Sequence, residues 1–330
     1  MTNTSLFALL IAGLFGLAVL FGGGVSGTQV SFAFKNFPDL TPGFVYQAWV
    51  MNPQDELVSL GRFRHIGNAK NFEFFGDLHK QSTFLISLET GDPDGVGDLN
   101  GSDPDLILFA GDIDPLKDIV HLRLISPDLH TPSGGVYALS TPSDNSDHAA
   151  SKLKAGVEAN DGNDAQGIWF VSTDPENEGA LVGGLDLPRI PSDNFVYEGW
   201  VNSALGNTTI STGRFVRSGM ADRNSGQSPF DGGKVYLGYP EPGEDFVNPG
   251  VAAGELELPL ELNQGWKAAI SIEPYSDSDN VPFVLTPWKA TIGTASTCLF
   301  DTIKAQPNPR AYQQQKCLFE PQYDGVAVIH

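Results

Sequence analysis

Two segments of this chain spell nearly the same word: FVYQAW at Phe44–Trp49 and FVYEGW at Phe195–Trp200. Tryptophan occurs only five times in 330 residues, so the repeated aromatic spacing is a strong constraint. The matches continue in the same order along both halves. LVSLGRF (Leu57–Phe63) falls against TISTGRF (Thr209–Phe215), and LISLE (Leu85–Glu89) against AISIE (Ala269–Glu273). DLILF (Asp105–Phe109) falls more loosely against PFVLT (Pro282–Thr286). The period exceeds that of solenoid repeats, so the pattern predicts two copies of one domain.

Each copy alternates as strands do. In FVYEGWV, Phe195, Tyr197 and Gly199 point one way, and Val196, Glu198 and Trp200 point the other. WKAAISIEP stops at Pro274, where a strand meets a turn. Gly (37) and Pro (23) punctuate short apolar runs, which favours many strands over long helices. The best helical candidate after the N-terminus is Ser146–Ala159, with Asp147 as N-cap. The predicted fold is mainly β: two tandem antiparallel β-sandwich or barrel domains, related by internal duplication, after an N-terminal apolar helix. The expected divisions are 1–27, a signal peptide or membrane anchor; 28–133, the first β domain; 134–183, connecting strands and an acidic loop; 184–295, the second β domain; and 296–330, a tail that fits neither copy.

Leu6–Phe21 is an uncharged apolar stretch followed by GGGVSGTQ. Val25 and Gly27 are small enough for the positions before a signal-peptidase cut at Thr28. The stretch also approaches the roughly 20 residues that span a bilayer, so an uncleaved anchor is the alternative. Either way the chain from Thr28 onward is expected outside the cytoplasm, membrane-anchored or free in an extracellular or periplasmic space. The two cysteines, Cys298 and Cys317, both lie in the tail. In an exported chain they are expected to form one disulfide, worth about 3 kcal/mol by loop-closure entropy. The formal net charge of −21 repels phosphate backbones, so nucleic acid is not expected as a partner.

YEGWV, STGRF and AISIEP, in that order, resemble the extracellular C-terminal domain of anti-sigma-K factors, the RskA family. In that family a Tyr-x-x-Trp strand is followed by a Gly-centred strand and a strand ending in Glu-Pro. The likeness covers most of residues 134–290. In the first copy Gln47 stands for Glu198 and Ala48 for Gly199. Five residues precede the apolar stretch, where an anti-sigma factor carries a cytoplasmic sigma-binding domain. The resemblance therefore implies the outside module without the sigma-binding activity.

Sequence motifs for catalysis are lacking: there is no G-x-S-x-G, H-E-x-x-H or P-loop. No catalytic residue is assigned. Arg62 with Glu89, and Arg214 with Glu273, are expected as structural ion pairs across neighbouring strands, fixing register. Tyr46, Trp49, Trp169, Tyr197 and Trp200 are expected as core rather than as a ligand face. The loop GDPDGVGDLNGSDPD crowds Asp92, Asp94, Asp98, Asn100, Asp103 and Asp105 into a Gly-rich turn. Calcium takes six to eight oxygens on a chain that can bend sharply, which makes this loop the candidate Ca²⁺ site.

The expected function is a non-enzymatic interaction or sensing module at the cell surface, binding a protein or a small ligand, with the membrane engaged through an uncleaved N-terminus. The alternatives are a structural surface or filament subunit stabilised by calcium and, ranked last, an extracellular hydrolase. If the acidic loop holds calcium, chelation lowers the melting temperature. Asp94→Ala combined with Asp98→Ala then abolishes that response in a thermal-denaturation series.

Overall fold

The short apolar runs bounded by Gly, Pro and Asx turns fold as strands. The computed structural model describes residues 27–64, 70–75, 78, 82–91, 103–114, 116–139, 164–173, 181–191, 193–223, 241–247, 252–253, 256–293, 298–302 and 313–330. The first half carries β1 (Thr28–Lys35), β2 (Phe44–Met51), β3 (Leu57–Phe63), β4 (Lys70–Phe74), β5 (Thr83–Thr90), β6 (Leu106–Asp112) and β7 (Ile119–Leu124). Short strands follow: β8 (Gly134–Tyr137), β9 (Gly167–Trp169), β10 (Val171–Thr173), β11 (Leu181–Gly183) and β12 (Leu185–Asp186). Then come β13 (Phe195–Asn202), β14 (Thr209–Phe215), β15 (Gly243–Asp245), β16 (Ala252–Ala253), β17 (Leu256–Glu257), β18 (Lys267–Pro274) and β19 (Trp288–Thr291). The chain ends with β20 (Cys298–Thr302), β21 (Gln313–Leu318), β22 (Glu320–Pro321) and β23 (Asp324–Ile329). The only helical turn among the described residues is a 3₁₀ turn at Asp164–Gln166. Ser146–Ala159 and Leu6–Phe21 lie outside the described residues.

The mainly β expectation holds. Eight strands form one nearly closed sheet in the order β3-β2-β5-β6-β7-β23-β1-β4. Its two ends approach each other where the Phe72 ring of β4 lies over Gly61 of β3. A five-stranded sheet, β14-β13-β18-β19-β22, forms the centre of the other half. One contiguous core runs through both halves and includes Tyr46, Phe84, Phe109, Tyr197, Ile270 and Trp288. Phe44 of β2 meets Phe195 of β13 with ring centroids 5.9 Å apart, and Phe283 at 5.4 Å.

The two hairpins share their local geometry. β2–β3 shifts register at Ala48/Trp49, and β13–β14 shifts at Gly199/Trp200. Each shift leaves one extra residue on the second strand, Leu60 or Thr212, which is a β-bulge. The next residue is Gly61 (φ 149°) or Gly213 (φ 111°), a backbone conformation that favours glycine. A Cβ there would also lie 2.6 Å from Phe72 in the first hairpin and 2.5 Å from Asp222 in the second. This accounts for the glycine in both GRF segments. Each motif tyrosine also ties down the segment before its strand: the Tyr46 hydroxyl donates to Pro38 O (3.0 Å) and that of Tyr197 to Pro188 O (2.5 Å).

Two sequence expectations need correction. First, the tail is no appendage. β23 pairs with β1 and with β7, filling the gap between them, and Ala327 packs in the core with Phe32 opposite. A division at residue 296 therefore separates β23 from its sheet. Pairing at such sequence distance leaves no local signature, which is why the tail looked unattached. Second, Pro282–Thr286 is not a strand; the partner of β18 is β19, with Ile270 opposite Trp288 as Ile86 is opposite Phe109. The loose match with DLILF was thus two residues out of step. Within Gly134–Thr173, β8 pairs with β12 and β21, and β9 with β15. Cys298 and Cys317 are direct cross-strand partners in the β20–β21 register.

Removing residues 323–330 takes away the common partner of β1 and β7 together with buried Tyr323. The expected loss exceeds about 5 kcal/mol, enough to unfold a domain of ordinary stability. Circular dichroism melts of the truncated chain check it; an unchanged melting curve would contradict the assignment of β23.

Candidate functional site

The central strands are covered on both faces. On the inner side Tyr46, Ala48 and Val50 join the main core. On the outer side Trp49, Leu85, Ala110 and Ile125 form a second cluster beneath the turn at Ile125–Pro132. That turn is set by Asp128, whose Oδ1 accepts from Ser126 Oγ, His130 N and Thr131 N, each at 2.8 Å. These donors hold the Asp128 carboxyl well below its usual range.

Polar groups on a doubly covered face must find partners within the protein. In the first half Trp49 Nε1 donates to Ser87 Oγ (2.8 Å), and Ser87 donates in turn to Glu89. In the second, Trp200 Nε1 donates to Ser271 Oγ (2.7 Å), and Ser271 donates to Glu273. Backbone amides complete each carboxyl: Asp105 N to Glu89 Oε2 (3.0 Å) and Phe283 N to Glu273 Oε1 (2.9 Å). Burial is the main cause that pushes both carboxyls up to about 7, ahead of the hydrogen bonds that lower them. Glu198 and Asp277 push Glu273 up further, and Glu273 Oε2 is buried without a partner.

Beside each Trp–Ser–Glu chain runs an arginine chain, and here the halves differ. Arg62 Nε donates to Gln47 Oε1 (2.6 Å), and Gln47 Nε2 donates to Ser59 Oγ (2.9 Å). Arg214 Nε donates to Glu198 Oε2 (2.7 Å), and Ser211 Oγ donates to Glu198 Oε1 (2.5 Å). Arg214 also donates through Nη1 to the backbone oxygen of Asp277. The expected pair Arg214–Glu273 is therefore replaced by Arg214–Glu198. Glu198 lies directly opposite Arg214 across β13–β14, whereas Glu273 is on β18, beyond β13. Arg62 similarly reaches first to Gln47, while its charge lowers the Glu89 carboxyl. Glu198 itself is raised by burial, with Ser211 and Arg214 pulling the other way.

A cleft of about 260 Å³ opens beside Arg214, with Arg223, Val216, Met220, Phe215 and Tyr275 on its walls. Arg223 is held against Arg214 by two backbone hydrogen bonds, 3.0 and 2.6 Å. The equivalent flank of β3 is occupied by β4 and the Phe72 ring. Three further acids in this half accept hydrogen bonds. Asp222 Oδ2 accepts from Gly243 N (2.9 Å), Glu241 Oε2 from Gly219 N (2.7 Å), and Asp245 Oδ1 from Trp169 Nε1 (2.7 Å). Burial raises Asp222 to about 6.

The candidate calcium ligands Asp92, Asp94, Asp98 and Asn100 lie outside the described residues. Asp105 Oδ2 accepts from Thr90 N and Thr90 Oγ1, both at 2.8 Å, and so closes the base of the loop. Asp103, two residues earlier, is exposed. Among the described residues no three His, Cys, Asp or Glu side chains gather to hold a metal ion. Among them, too, no helix is long and apolar enough to cross a membrane. Tyr46, Trp49, Trp169, Tyr197 and Trp200 are all buried, as expected of core aromatics. Sequence reasoning missed Glu198 as the arginine's partner because its counterpart is a glutamine. The signal present was the Glu198–Arg214 spacing on two strands joined by a short turn. No family model, curated protein or solved structure matches this chain.

A carboxyl with a folded value near 7 and an unfolded value near 4.5 stabilises the fold fully below pH 4.5. That contribution is lost as the pH rises through 7, at about 3 kcal/mol for each group. Glu273→Gln keeps a neutral side chain at this position. It is expected to flatten its share of the decline and to leave the protein more stable than wild type at pH 8. Urea unfolding at pH 5 and pH 8 measures both; an equal decline in variant and wild type would contradict the assignment.

Proposed function

We propose that this chain is an exported, non-enzymatic β-domain protein that binds a partner or ligand outside the cytoplasm. Its two halves are copies of one ancestral strand unit related to the module that the resemblance to anti-sigma-K factors names. Several features support the duplication. Both hairpins carry the same bulge and the same positive-φ glycine, and both tryptophans enter the same Trp–Ser–Glu chain. Phe44 and Phe195, the first residues of the repeated word, meet each other between the halves.

The single observation that carries the binding role is the cleft beside Arg214. The scaffold groups repeat in both halves, and beside Arg214 a cleft opens with a fixed guanidinium on its wall. Small-ligand sites are concave and mostly apolar, with a few fixed polar groups, and this cleft has that composition. Export is supported by the apolar Leu6–Phe21 stretch followed by small residues, and by two cysteines opposite each other in register.

Cell fractionation with N-terminal sequencing tests the location. The expected result is protein outside the cytoplasmic membrane, beginning at Thr28 if the leader is cut or retained with the membrane if it is not. Recovery of the intact chain from the soluble cytoplasmic fraction would refute the proposal.

A further inference from the structure

The guanidinium of Arg214 is held before any ligand arrives. Glu198 fixes its Nε and the Asp277 backbone oxygen its Nη1, and the side chain is 19% exposed. A guanidinium carries five N–H donors, so the rest have no partner among the described residues. Arg223 beside it is exposed, and among the described residues no carboxylate pairs with it. A fork whose rotamer is already fixed loses little freedom on binding an anion.

The other walls are apolar and partly open to solvent. Val216, Met220 and Tyr275 are 43%, 40% and 53% exposed. An anion alone would leave these surfaces wet, so they call for an apolar body. Its charge must be small, because Glu198 already pairs with the arginine and the whole chain carries −21. The volume of about 260 Å³ suits a group of amino-acid size.

We propose that the cleft beside Arg214 binds an apolar monocarboxylate: one carboxylate on Arg214 and Arg223, with an aromatic or branched body on Met220, Val216 and Tyr275. This rests on reading the chain as a binding module. Such a group is supplied either by a free acid or by the C-terminal residue of a peptide.

Calorimetric titration of the full chain tests the inference with four probes: 3-phenylpropionate, its neutral amide, the peptide acetyl-Gly-Gly-Phe, and the same peptide with an amidated C-terminus. The acid is expected to bind with a Kd below about 1 mM, within the efficiency of small ligands. The amide is expected to bind about tenfold more weakly or worse. A peptide acid that binds as tightly as phenylpropionate identifies a peptide end; binding of the free acid alone identifies a small molecule. Arg223→Gln, at an exposed position, should weaken the acid about tenfold without lowering the melting temperature. Glu198→Gln recreates the Gln47–Arg62 pairing and should tighten binding, since it removes the competing carboxylate. Acid and amide binding alike, neither binding, or indifference to Arg223→Gln would overturn the proposal. The two readings fail separately. An exported chain that ignores both acids sinks only the carboxylate site, and a cytoplasmic chain that binds them sinks only the location.

Discussion

Much of this structure depends on central strands that have no wet face. β2 and β13 are buried along nearly their whole length, so a polar side chain there must be satisfied by another one. The tryptophan indole, the serine hydroxyl and the glutamate carboxyl do this in series. Each serine accepts from the indole and donates to the carboxyl, using both capacities of one hydroxyl. The chain ends on a carboxyl that burial pushes up to about 7, because an isolated buried charge is costly. The acids of this network therefore read first as scaffold.

The glycine bulge and this network are parts of one arrangement. The extra residue in β3 or β14 lets Ser59 or Ser211 stand opposite the motif tryptophan while Arg62 or Arg214 stands opposite Gln47 or Glu198. Without the bulge the side chains beyond it would exchange faces, and the arginine would point into the core. A glutamine in one half and a glutamate in the other then change the electrostatics without changing the geometry. The neutral partner leaves Arg62 charged beside Glu89, whose carboxyl it lowers. The ionised partner sets Arg214 against Glu198, and Glu198 in turn raises Glu273. The same scaffold thus carries two different charge distributions.

The cleft has a similar origin. β4 pairs with β1 and brings Phe72 over Gly61, so the eight-stranded sheet nearly closes on that side. In the other half, among the described residues, the strand-like contact on that side of β14 is the bridge at Arg223, with Asp222 over Gly213. A bridge covers less of the flank than a strand, and the space it leaves exposes the arginine edge and the apolar side chains around it. The difference between the halves lies in what packs beside the hairpin rather than in the hairpin itself.

The sequence alone determined the strand character, the two matched hairpins and the burial of the aromatic motif, because these follow from alternation, turn residues and a rare aromatic spacing. It also placed a glycine before each arginine, although the reason, a bulge with positive φ, needed the register. Only the tertiary structure decided that Arg214 pairs with Glu198, that β23 belongs beside β1, and that a cleft opens beside Arg214. The physical reason is range. Periodicity records which face of a segment is apolar, but a cross-strand partner or a packed neighbour is chosen among residues far apart in the chain, and local pattern carries no trace of that choice.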